Sequence, residues 1–220
     1  PKARREEERA KSLRRIATPY SYYETYGIMR RNLKGVDTQR NAGIVQPAPR
    51  SVTLHEGDVP VMRVGFLGDI MNIDDKALSF SDALREWASG HDVLVGNFEA
   101  TIHDSKKREG IWWGSHQPQA ERILGDLADL FNPADFYLGL ANNHSGDYRK
   151  SVFDRSTRMI EKAGFPLFGM ADSPHIDIHE DVRVIAGTMW SNQKADDILW
   201  LPKIREVDGL KRAGAVNVFY

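Results

Sequence analysis

From residue 61 onward, short apolar runs alternate with longer amphipathic segments, and three of those runs end in polar motifs. The three are Phe66-Leu67-Gly68-Asp69-Ile70-Met71, Val95-Gly96-Asn97-Phe98-Glu99 and Gly139-Leu140-Ala141-Asn142-Asn143-His144. Strands separated by helices require crossover connections, and these favour a parallel sheet with a fixed hand. The expected fold class is therefore α/β, a mostly parallel, doubly wound sheet with helices on both faces. In such sheets ligands are held at the carboxyl ends of the strands, where all three motifs fall.

The strands are expected at Val61 to Leu67, Val93 to Gly96, Phe136 to Leu140, Pro166 to Phe168, Val182 to Ala186 and Val216 to Tyr220. The helices are expected at Ser79 to Ala88, Pro118 to Phe131, Ser151 to Ala163 and Lys203 to Ala213. Apolar residues at helical spacing support the first two, and Gly164 and Gly214 supply C-terminal stops for the last two.

Residues 1–50 differ in character and read as an arm and linker, with residues 51–220 forming the α/β domain. Glu6 to Glu8 precede Arg9, Lys11, Arg14 and Arg15, a charge run that suits a solvated helix or, alternatively, a basic patch. The tyrosines between Tyr20 and Tyr26 suit clamping the arm onto its own domain or onto a second copy, hence a homo-oligomer. With a formal net charge of −1, overall charge gives no reason to expect a nucleic acid partner. The absence of cysteine excludes disulfides, zinc–thiolate sites and a cysteine nucleophile. No apolar run approaches the roughly 18 residues of a membrane span, and no segment resembles a signal peptide. These observations leave the cytoplasm and the cell envelope both open.

The residues themselves leave two readings open at each motif. Asp69 either caps a helix or lies over the sheet edge as a ligand. Asn97 and Glu99, two apart on extended chain, project to one face while Phe98 packs inward. Glu99 is then either a surface carboxylate or part of a site. The Asn142-Asn143-His144 turn either caps the following helix, with a buried histidine, or presents amide and imidazole to a ligand. Trp112 and Trp113, between Gly110 and Gly114 with His116 close behind, either cover a site and stack on substrate or form a lid on the core.

Strand-Gly-Asp-Ile-Met, Gly-Asn-Phe-Glu, and Leu-Ala-Asn-Asn-His followed by a helix and Ala-Gly-Phe-Pro-Leu-Phe-Gly resemble the bacterial CapA family. These capsule and poly-γ-glutamate synthesis proteins are related to calcineurin-like metallophosphoesterases. The resemblance runs from about Val61 to the end and implies a metallophosphoesterase-like site. Asp69, Asn97, Glu99 and Asn143 would hold a divalent metal ion, manganese, magnesium or zinc. His144 would act as acid or electrostatic stabiliser, and Asn142, Trp112, Trp113 and His116 would meet an anionic polymer or phosphoester. Met71 stands where the phosphoesterases place a histidine, and Asn97 where they place an aspartate, so oxygen donors dominate and weak ion binding is expected. The family's His-Trp-Gly segment would follow Tyr220, so the chain reads as truncated at its C-terminus. A metal-dependent hydrolase or transferase is the leading expectation. A general phosphoesterase and a non-catalytic assembly module on the same scaffold are the alternatives.

Overall fold

The computed structural model describes residues 62–73, 76–103, 117–189, 191, 197–198 and 204–220, together with Tyr26, Gly27, Met29, Arg30, Leu33 and Lys34. The chain divides into two compact units, Pro1–Pro60 and Val61–Tyr220. The charge run, the tyrosines Tyr20, Tyr22 and Tyr23, and the loop bearing Trp112, Trp113 and His116 lie outside the described residues.

The second unit is built on a parallel sheet of β1 (Val64–Asp69), β2 (Val93–Asn97), β5 (Phe136–Gly139) and β6 (Leu167–Phe168), in that spatial order. Between them run α1 (Asp82–Ser89), α2 (Ile123–Leu130) and α3 (Lys150–Lys162). Ser81 caps α1, its side chain accepting from the Leu84 amide at 3.3 Å. The α/β class with a mostly parallel sheet and surrounding helices thus holds.

The arrangement of layers refines that expectation. Each successive strand is added on the same side of the last, so right-handed crossovers carry α1, α2 and α3 to one face. Alternate residues show it: Leu94, Phe136, Leu138 and Leu167 pack with Ala88, Leu127 and Ile160 of the helices. Val93, Val95 and Phe168, on the opposite face, pack instead with Ile178, Val184 and Val218. These last belong to a second sheet, β7 (His175–His179), β8 (Val182–Ile185) and β9 (Val216–Phe219), in which β7–β8 is antiparallel and β8–β9 parallel. A 3₁₀ helix, Ile204–Leu210, covers the far side of that sheet through Val207 and Leu210 against Ile185. The helical layers are therefore the two outer ones.

Several local expectations change. Pro118 does not open a helix: Pro118–Gln119 is a short strand, β4, paired in parallel with β3 (Thr101–Ile102), and α2 begins only at Ile123. Gln119 is fully buried and accepts from the Ile73 amide at 3.3 Å, a tie that a helical start would break. The helix expected at Lys203 to Ala213 is the shorter 3₁₀ segment, followed by a turn in which Gly214 takes φ +76°. The strands at Val182 and Val216 leave the main sheet for the second one.

Gly169, closing β6, is required by its surroundings. Its φ is +86°, and a Cβ there would lie 2.8 Å from the Ala141 amide nitrogen and 3.0 Å from the Ala141 Cβ. It thereby lets β6 and the Asn142–His144 turn approach closely.

Candidate functional site

The ends of β1, β2 and β5 meet at one edge of the sheet. The register between β1 and β2 shifts between Leu67 and Asp69, so Gly68 is the extra residue of a bulge. Such a bulge bends the strand and re-aims the next side chain. Asp69 then meets Asn97, whose Nδ2 donates to Asp69 Oδ1 at 2.8 Å. Beyond β2 the chain remains stitched to both neighbours: the Phe98 amide donates to Gly139 O at 2.9 Å and the Glu99 amide to Ile70 O at 3.1 Å. Phe98 is fully buried in the helix-side core, an anchorage of about 1.5–3 kcal/mol that fixes Asn97 and Glu99 on its two sides.

Glu99 is buried, only 8% exposed, and its carboxyl stands close enough to that of Asp69 for the two to interact. A like charge beside a buried carboxyl disfavours its charged form. Burial first, then the hydrogen bond and charge of Asp69, push Glu99 up from 4.5 to about 7. On its other side, Glu99 Oε1 lies 3.7 Å from His144 Nε2. His144 Nδ1 in turn lies 2.7 Å from Asp147 Oδ2. One continuous polar chain, Asn97, Asp69, Glu99, His144 and Asp147, therefore crosses the sheet edge.

Asn142 holds the turn that carries His144. Its Nδ2 donates to Asn97 Oδ1 at 3.0 Å and to Phe98 O at 2.9 Å, while its Oδ1 accepts from the amides of His144 and Ser145, both at 3.0 Å. It is 5% exposed. The Asn142 amide thus braces the turn against β2. Asn143 is half-buried in the same turn.

A cleft of about 300 Å³ opens over this edge, lined by Gly68, Asp69, Asn97, Gly139, Gly187 and Tyr220, among others. Asp69 and Asn97 line it, whereas the buried Glu99 and His144 do not. The Tyr220 hydroxyl donates to Leu67 O, and burial together with the nearby Asp69 charge pushes its pKa up to about 12.

Among the described residues, no group of three or more His, Cys, Asp or Glu side chains is arranged to hold a metal ion. The donor chemistry fits a hard cation at two positions. Two neighbouring carboxyls are a place where a cation would relieve the repulsion of like charges. The remaining coordination would fall to amide oxygen or water.

Sequence reasoning missed Asp147 and Tyr220. The His-x-x-Asp spacing of His144 and Asp147 was the available signal for the first. The last strand's Tyr220 gave none, since its neighbour Leu67 is 153 residues away.

A comparison with curated proteins returns no match. The family model for the bacterial capsule synthesis protein PGA_cap matches residues 57–180, more than half of the 220 residues and inclusive of all three strand-end motifs. The chain belongs to the PGA_cap family of bacterial capsule synthesis proteins, the CapA family.

Proposed function

We propose that this chain carries a metal-dependent hydrolase or transferase site acting on an anionic polymer or phosphoester in the synthesis of capsule or of a poly-γ-glutamate-type polymer. The observation that carries the reading is the Asp69–Glu99 carboxyl contact at the carboxyl ends of parallel strands, with His144 on its far side. Asp69 and Glu99 would hold the divalent ion, with Asn143 near enough in the chain to add amide oxygen, and Asn97 able to do so only if its amide turned away from Asn142. The ion would supply Lewis-acid stabilisation of charge on the substrate. Among the described residues lining the cleft none is a lysine or arginine, and a bound cation would offer an entering anionic group positive charge there. In its imidazolium form, with a proton on Nε2 as well, His144 acts as proton donor or as stabiliser of developing negative charge, a role worth about 10²–10⁴-fold in rate where it applies.

The test is turnover of phosphoester and poly-γ-glutamate probes with manganese or magnesium, comparing the wild type with H144A. Metal-dependent turnover lost in H144A supports the reading. Turnover unaffected by H144A, or by chelation, contradicts it. The alternative of a non-catalytic assembly module draws on the burial of His144, 6% exposed, and predicts probe binding without turnover.

A further inference from the structure

We propose that Asp147 is the positioning residue of His144, fixing the imidazole as its Nδ1–H tautomer and so aiming Nε2 at Glu99. Asp147 is 4% exposed, and its Oδ2 lies 2.7 Å from His144 Nδ1. An ionised carboxylate only accepts hydrogen bonds, so the ring nitrogen facing it carries the proton. Nε2 is then left to face the Glu99 carboxyl, 3.7 Å away.

The backbone around this pair is built to hold it. The Asp147 amide donates to His144 O at 3.0 Å, closing a turn of the chain between them. The Asn142 side chain fastens the amides of His144 and Ser145, and the Ser145 hydroxyl donates to Leu140 O. The carboxylate has a second donor: the Gln117 amide, at 3.0 Å from Oδ2, steadies it from the strand β4 side. A carboxylate buried this deeply costs several kcal/mol unless it is paired, and here its pairing also orients the imidazole. By constraining the ring, Asp147 acts through His144 without touching substrate. The catalytic importance of this rests on the proposed function above, whereas the tautomer does not.

The experiment is a long-range ¹H–¹⁵N correlation on ¹⁵N-histidine-labelled full chain, with chelator present and at a pH where the rings are neutral. H144Q identifies the His144 signals. A charge-assisted hydrogen bond of about 1.5–3 kcal/mol biases the tautomer by at least about tenfold, so the wild type is expected to show Nδ1 protonated and Nε2 bare. In D147N, which keeps the side-chain volume, that bias is expected to be lost. A wild-type ring protonated at Nε2, or a D147N ring unchanged from the wild type, overturns the proposal. The wild-type spectrum decides by itself if D147N does not fold. An Nδ1–H ring in a protein without turnover supports this inference and separates it from failure of the functional reading.

Discussion

Asn97 Nδ2 donates to Asp69 Oδ1 at 2.8 Å, and Asn97 Oδ1 accepts from Asn142 Nδ2 at 3.0 Å, so one amide joins three strand ends. The first acid of the site is therefore braced by the turn that carries His144. Stability and site geometry are coupled through this bridge.

Asn142→Ala removes donors and acceptors from several buried partners at once, including Phe98 O and the amides of His144 and Ser145. Stranding such groups costs more than one hydrogen bond. The expected loss is about 2–4 kcal/mol in denaturant unfolding, with the slope unchanged.

Glu99 gives the fold a pH dependence in chelator-treated protein. Its native pKa, about 7, lies above the ordinary 4.5. Between those values the native state holds a proton that the unfolded chain has released, so stability falls as pH rises through this window. Glu99→Gln keeps the shape without the charge. It is expected to flatten that slope and to exceed the wild type above neutrality by about 1–3 kcal/mol. Parallel slopes in the two proteins would contradict the burial argument.

Gly169→Ala meets both a positive φ and the Ala141 backbone. A loss of about 2 kcal/mol or more is expected by thermal or chemical unfolding, since αL strain alone costs about 1–2 kcal/mol. Gly125→Ala in α2, where a Cβ meets open space, is the control and is expected to be neutral or stabilising.

The parts of this fold that could be read in sequence are those with long apolar runs. The runs ending at Asn97 and Gly139 are largely buried strands, the run ending at Asp69 is a part-exposed edge strand, and their polar ends are where the candidate site lies. Two-residue strands such as Thr101–Ile102 and Pro118–Gln119 carry no period, and a proline before an apolar helix imitates a helix start. His175–His179 alternates polar and apolar, as a half-buried strand should, yet Pro174 and two histidines disguise it as loop. Strand order, which decides that the second sheet covers one face, depends on pairings between distant segments. The participation of Glu99 in the site rested on the family resemblance, because burial of a strand-end carboxylate is invisible in sequence. Asp147 required the turn geometry.

Calorimetric titration of manganese into the wild type and Asp69→Asn tests the central claim, that the Asp69–Glu99 pair is a cation site, most directly. Two carboxylates with few further donors predict weak, saturable binding that displaces the proton Glu99 holds below neutrality, and loss of that binding in Asp69→Asn. Glu99→Gln is expected to weaken it likewise. Binding of equal strength in the wild type and Asp69→Asn, or tight stoichiometric binding that survives both substitutions, would contradict the account.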